Sequence, residues 1–414
     1  MYKDVKTRRG LRCSICTGCG LCPGVAASGD ISHGLQVLTG NCLIGGGGLA
    51  GGSGRRLALA DIGTTTIALL LYGEDGNVAD RYVALNPQAG YGADVLSRIR
   101  AAENPADREN MRQMVVEVLE QGISRFRERL EGQELLLMLA GNTTMIYLLR
   151  GLNPAELGRA PFRAEHLEPV SDSRKGIDCF VFPGLSAFVG GDITAGLLAC
   201  GMAEKEELTL LIDLGTNGEM VLGNRHGRIA CATAAGPAFE GGANRGIWGS
   251  DMISLLAILC REGIVDGTGL LQEPFFDTGI RIGNVLVTEA SIRSVQLAKA
   301  AVAAGIEILL EKYGAAPGQI DRVVLAGGFG YYLNPRAAAE IGLFPAELTE
   351  RTMVGGNTAL GGCLRAGQLL LGRRPETLME KLEDIRSGTR IVNLAAEPEF
   401  QERYIQRMEM KKIE

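Results

Sequence analysis

The feature that most constrains this chain is an element that occurs twice. Leu59-Ala60-Asp61-Ile62-Gly63-Thr64-Thr65-Thr66 and Leu211-Ile212-Asp213-Leu214-Gly215-Thr216-Asn217-Gly218 carry an Asp, an apolar residue, a Gly and a Thr in the same order. An apolar strand precedes each copy, and a second apolar run (Ile67 to Tyr72, Glu219 to Leu222) follows it. Each second run ends at a Gly-rich turn, Gly73-Glu74-Asp75-Gly76 and Gly223-Asn224-Arg225-His226-Gly227. Short apolar runs joined by tight polar turns predict β-hairpins. The turn chemistry suits a polyphosphate. An Asp can hold hydrated Mg²⁺ through oxygen, a Gly permits close backbone approach to phosphate, and Thr adds hydroxyl and amide donors. Two such turns facing each other would grip one nucleotide from both sides.

The 414 residues exceed the usual single-core size of about 250–300 residues, so more than one domain is expected. Glycine is abundant, with 58 residues, about twice the usual share of roughly 7%. These glycines cluster beside apolar strands, as ligand-cradling loops require. A net charge of −6 without a basic run argues against nucleic acid or an anionic membrane as partner. No apolar stretch reaches the roughly 20 residues of a membrane span, and Met1-Tyr2-Lys3-Asp4 opens a polar stretch rather than a signal peptide. The expected location is cytoplasmic.

Four segments are expected: a cysteine-rich head over 1–44, a Gly-rich linker over 45–55, a first lobe with an inserted helical segment over 56–205, and a second lobe with a C-terminal tail over 206–414. Apolar periodicity predicts helices over Asn104 to Arg129, Ile193 to Gly201, Ile292 to Tyr313 and Thr358 to Leu371. Buried strands are predicted at Leu135 to Leu139 and Val323 to Ala326, each stopping at a Gly-bearing turn. Strand, turn and helix alternate, so the class is α/β.

With the added turn Gly327-Gly328-Phe329-Gly330, the sequence resembles the superfamily of acetate and sugar kinases, heat-shock chaperones and actin. The resemblance implies two related, ribonuclease H-like lobes with ATP between them. Asp61, Gly63, Thr64, Thr65 and Thr66 would form the first phosphate loop, and Asp213, Gly215, Thr216 and Asn217 the second. Gly327, Gly328 and Phe329 would lie at the adenosine. Gly191-Asp192-Ile193-Thr194-Ala195-Gly196 is similar to the chaperones' connecting segment, which implies that Asp192 orients the attacking water. Asp at that place equally suits a helix N-cap.

Cys13, Cys16, Cys19 and Cys22, followed by Pro23, form the second strong motif, and Cys42 lies nearby. Thiolates spaced three apart on a Gly-bearing loop converge on one cluster, as in ferredoxins with their C-x₂-C-x₂-C-x₃-C-P run. The last gap is one residue shorter here, so either Cys22 or Cys42 supplies the fourth ligand. A 4Fe-4S cluster is favoured over structural Zn²⁺, whose ribbons use two separated knuckles. Cys179, Cys200, Cys231, Cys260 and Cys363 stand apart among apolar neighbours and are expected to be buried reduced thiols.

Longer strings narrow the resemblance. Asn86-Pro87-Gln88, Tyr91-Gly92-Ala93-Asp94-Val95, Ser97-Arg98-Ile99, Ala140-Gly141-Asn142-Thr143-Thr144-Met145 and Ala235-Gly236-Pro237-Ala238-Phe239-Glu240-Gly241 resemble the ATP-dependent reductive activators of corrinoid proteins. The likeness spans about residues 56–400. It implies an ATP-hydrolysing iron–sulfur protein that reduces Co(II) to Co(I) in a corrinoid protein and so restarts a methyltransferase system. A ferredoxin or flavodoxin would supply electrons, Mg²⁺ would accompany ATP, and Glu240 would be a polar contact near phosphate. Better-known members carry a full plant-type 2Fe-2S domain, for which the head is too short. Dimers are common among such cores. A small-molecule kinase with a structural head, and a metal-binding regulatory module switched by ATP, are the alternatives.

Overall fold

The computed structural model describes residues 54–411, apart from 74, 131, 175–176, 216, 234–248, 284 and 331. The expectations for the head and most of the linker, for Thr216 and for Glu240 therefore lie outside the described residues.

The first sheet joins β1 (Arg55–Ile62), β2 (Thr66–Tyr72), β3 (Val78–Leu85), β4 (Glu134–Gly141), β5 (Val170–Arg174) and β6 (Ile177–Val181) in the order β3-β2-β1-β4-β6-β5. The second begins with β7 (Thr209–Leu214), β8 (Gly218–Asn224) and β9 (Gly227–Thr233). After the small β10 (Ile280–Ile282) and β11 (Val285–Val287) pair, it adds β12 (Arg322–Ala326), β13 (Thr352–Gly356) and β14 (Thr389–Val392). Its order is β13-β12-β7-β8-β9-β14. In both sheets three antiparallel strands are followed by two parallel strands on the side of the first, β4 and β6 in one and β12 and β13 in the other, while β5 joins β6 antiparallel and β14 joins β9 parallel. β1 pairs antiparallel with β2 and parallel with β4, while β7 pairs antiparallel with β8 and parallel with β12. The duplicated motif thus marks a duplicated sheet, with the expected hairpins at Asp61 and Asp213.

The helices are α1 (Val95–Ala101), α2 (Pro105–Arg127), α3 (Thr143–Arg150), α4 (Gly191–Cys200), α5 (Gly249–Arg261), α6 (Glu289–Tyr313), α7 (Gly327–Gly330), α8 (Pro335–Glu340), α9 (Thr358–Leu371), α10 (Pro375–Ser387) and α11 (Phe400–Gln406). Their ends follow local chemistry. Asn104 caps α2 and leaves Pro105 at the first position, where its missing N–H costs nothing. α6 starts earlier than the apolar pattern predicts, at Glu289, because Thr288 and Ser291 form a capping box. α4 stops at Gly201, whose φ of 66° suits glycine.

Side-chain alternation along β1 separates two cores. Ala58, Ala60 and Ile62 face α2 and α3, packing on Met111, Val115, Phe126 and Met145. Leu57 and Leu59 face the opposite way, into a cluster with Leu197, Leu360 and Leu364 that also holds Leu211, Val221 and Val324 of the second sheet. α4 and α9 are therefore sandwiched between the sheets. Leu210, Ile212 and Leu214 cover the far side of the second sheet with Ile253, Val302 and Ile306. Each such buried Leu or Ile contributes about 1.5–3 kcal/mol. α4 and α9 meet almost backbone to backbone: a Cβ on Gly362 would strike the carbonyl oxygen of Ala195, and one on Gly196 would lie 3.0 Å from Thr358 Oγ1. No helix among the described residues is long and apolar enough to cross a membrane.

Candidate nucleotide site

The turns closing the two hairpins are built alike. In the first, Gly63 N–H donates to Thr66 O at 2.9 Å, and in the second Gly215 N–H donates to Asn217 O at 2.9 Å. Register makes the first turn longer. Ile62 faces Ile67, whereas Leu214 faces Gly218. Opposite Asp61 stands Ala68, but opposite Asp213 stands Glu219.

Asp61, Asp192 and Asp213 are half-buried and Glu219 is buried. These four carboxyl groups act on one another. Burial pushes Asp61 up to about 6, against the pull of a hydrogen bond from Asn357. Burial, then the charge of Asp61, pushes Asp192 up to about 7. Asp213 rises to about 8 through burial and then the charges of Asp192 and Asp61. Glu219 stands well above the ordinary carboxylate range, through burial and then Asp192 and Asp213, with Asn217 opposing. Desolvated like charges favour neutral forms until a cation joins them. Among the described residues no three His, Cys, Asp or Glu side chains could enclose a metal ion by themselves. Carboxylate oxygens are the ligand type that Mg²⁺ takes one or two at a time, keeping water and phosphate oxygens in the rest of its shell.

Other expected residues fall around these acids. Thr64 is buried, Thr65 exposed and Thr66 half-buried. Gly215 and Asn217 are half-buried on the second turn. Gly327 adopts φ +82°, and a Cβ there would meet Asp213 Oδ1 and Leu214 O, both at 2.5 Å. Only glycine allows that approach. Gly327, Gly328 and Phe329 thus begin a short helix against the second turn, at the end of β12. Asp192 is not a helix N-cap. Gly190 is the cap, and Asp192 sits in the first turn of α4, with Oδ1 accepting from Ile193 N–H at 2.9 Å.

Two groups of residues emerge only in three dimensions. Glu219 opens what reads as an apolar run, and its sole sequence signal is an acid at the mouth of a buried strand. The second group is Asn86, Asn142 and Asn357, whose amides reach the first turn. Asn86 Nδ2 donates to Gly63 O at 2.9 Å, Asn142 Nδ2 to Thr64 Oγ1 at 2.9 Å and Asn357 Nδ2 to Asp61 Oδ2 at 2.8 Å. The strings around Asn86 and Asn142 are thereby connected to the turn.

A family model described as the RACo middle region matches residues 57–205, and one described as the C-terminal domain of RACo, the ASKHA domain, matches residues 207–245 and 243–414. The chain belongs to the RACo family. Its relatives include the corrinoid activation enzyme RamQ of Eubacterium limosum, 30% identical over an alignment 416 positions long, gaps included, that covers 83% of this chain and 68% of that protein. A solved structure of a reductive activator for corrinoid, iron–sulfur protein is 31% identical with a TM-score of 0.75, covering 86% of this chain and 66% of that one. This RACo-family chain thus spans about two thirds of the length of these relatives. Its ASKHA domain is of an ATP-binding type, consistent with ATP and Mg²⁺ at the paired turns.

Proposed function

We propose that this chain hydrolyses ATP to drive the reductive activation of a corrinoid protein in the cytoplasm, taking Co(II) to Co(I) and so restoring a methyltransferase system. The observation that carries the reading is the pairing of Asp213 with Glu219 beside the second turn and the matching place of Asp61 beside the first, in a chain of the RACo family. The working division is a head over 1–44, a linker over 45–55 and lobes over 56–205 and 206–414.

In this reading Asp213 and Glu219 hold the hydrated Mg²⁺ of ATP, with Asp61 facing them from the first turn. Thr64, Thr65, Thr66, Thr216 and Asn217 present hydroxyl, amide and backbone donors to the phosphates, and Gly63 and Gly215, whose N–H groups close the turns, let the backbone come near them. Glu240 adds a polar contact, and Gly327, Gly328 and Phe329 lie against the adenosine. Asp192 orients the attacking water and takes its proton as the bond from the terminal phosphorus to the bridging oxygen breaks. Positioning and charge neutralisation supply most of the acceleration in such reactions.

Cys13, Cys16 and Cys19, with Cys22 or Cys42, are the thiolates suited to an iron–sulfur cluster, a 4Fe-4S cluster by spacing. Such a cluster supplies one-electron transfer when bound. A ferredoxin or flavodoxin would feed it, and a homodimer is compatible with the core. The test is anaerobic purification, an iron count, and the optical change from Co(II) to Co(I) in a cognate corrinoid protein with a strong reductant. The change is expected only with ATP. An equal change without ATP, or none with it, overturns the reading.

A further inference from the structure

Asn86, Asn142 and Asn357 cap three different helices and touch one turn. Asn86 starts the 3-10 helix Pro87–Tyr91, Asn142 starts α3 and Asn357 starts α9. In each case Oδ1 takes the capping bond: from Gln88 N–H at 3.0 Å, Met145 N–H at 3.0 Å and Leu360 N–H at 2.8 Å. A backbone N–H only donates, so these bonds fix which amide atom is oxygen. Nδ2 is then left on the other side, where it reaches Gly63, Thr64 and Asp61 respectively. Asn86 also donates its backbone N–H to Thr65 O at 2.8 Å. All three residues are buried, at 1%, 8% and 5% exposure, so losing either bond leaves an enclosed polar group unpaired.

Capping alone does not explain asparagine, because Asp and Ser cap as well. The further demand is a donor. Asn104, Asn334 and Asn393 also cap helices, but they are exposed or half-buried, and no second hydrogen bond from their amides is found among the described residues. At Thr64 the donor has a specific consequence. Its Oγ1 accepts from Asn142, so the hydroxyl hydrogen is not used there and is left to donate elsewhere.

We infer that Asn86, Asn142 and Asn357 are positioning residues that lock the first turn, with Asn142 setting the Thr64 hydroxyl as a donor toward phosphate. This rests on the nucleotide reading of the site. The clamp draws on both halves of the chain. Asn357 follows β13 of the second sheet, yet it holds the aspartate of the first hairpin across a sequence distance of 296. The first turn is therefore fixed only when the helices around it are in place.

Asn142→Asp tests the idea with almost no change of shape. Aspartate keeps the cap of α3 but can only accept, so Thr64 must turn its hydrogen toward residue 142. Mg–ADP binding to the full chain is measured by calorimetry, with melting of the apo protein as the control for the cap. The expected result is an unchanged melting temperature and binding weaker by about tenfold to a hundredfold, the size of one lost hydrogen bond to a charged group. In a Thr64→Val background the same substitution is expected to cost less than about threefold, since the hydroxyl it would reorient is gone. Equal losses in both backgrounds would mean added negative charge alone and overturn the inference, as would full affinity in the single variant. If the unaltered chain binds no Mg–ADP, the nucleotide reading falls instead. The clamp is then judged by hydrogen exchange at residues 61–66 of the apo protein: faster exchange in Asn142→Asp supports it, and unchanged exchange overturns it.

Discussion

The two hairpin turns descend from one pattern but are held in different ways. The first keeps a single acid, Asp61, opposite Ala68, and is gripped by three asparagine amides. The second sets two acids directly across the strands, Asp213 and Glu219. No side-chain hydrogen bond to Asp213 is found among the described residues. One turn is secured mechanically, and the other crowds two acids that stay neutral until a cation lets them ionise. Equivalent backbones therefore do not imply equivalent work: the first turn is suited to orienting donors, the second to receiving metal.

Alanine at each aspartate probes that contrast most strongly. Both Asp213→Ala and Asp61→Ala are expected to lower ATP hydrolysis by about 100-fold or more, read in a steady-state phosphate-release assay. Their apo stabilities should diverge. Asp213→Ala relieves crowding among carboxylates and raises the melting temperature. Asp61→Ala strands the buried Asn357 amide and lowers stability by about 1 kcal/mol. Equal shifts in one direction would erase the distinction.

Glu219→Gln comes next. Without changing shape it removes the carboxylate that ionises when a cation arrives, so Mg²⁺-dependent nucleotide binding should weaken about tenfold, while binding measured with the metal chelated should not weaken. Gly327→Ala forces a side chain into a left-handed backbone and against Asp213, and should cost roughly 1–3 kcal/mol in a denaturant titration. The last test concerns pH. Asp61, Asp192 and Asp213 bind protons more tightly when folded, rising to about 6, 7 and 8, than in an unfolded chain, where Asp titrates near 3.9. Their contribution is complete below about pH 4 and is lost as pH climbs through those values. Through these three acids apo stability should therefore fall by roughly 4 kcal/mol between pH 6 and 8, and Mg–ADP should raise the melting temperature most at pH 8. A flat apo profile would show that the acids are not crowded.

Much of this contrast was legible in sequence, because the paired Asp-x-Gly-Thr strings and their apolar flanks are local signals. They led to both hairpins and, through the duplication, to two related sheets. Glu219 was hidden by its position. Among Met220, Val221 and Leu222 it reads as part of an apolar run, and only the register opposite Asp213 reveals it. The asparagines were hidden by distance. A cap is read from its own helix, but its second bond depends on where distant strands end. Asp192 illustrates the reverse case: a capping preference is visible at once, yet Gly190 takes the cap and the acid stays beside the other carboxylates.

The shared core between the sheets has a consequence for synthesis order. Leu57 and Leu59 point into a cluster completed by Leu360 and Leu364. When the first sheet leaves the ribosome, that face has α4 to cover it but not α9, and residues 206–357 must be made first. At roughly 5–20 residues per second the wait is on the order of ten to thirty seconds. During it, the apolar face of the first sheet lacks the cover that only the second half of the chain can bring.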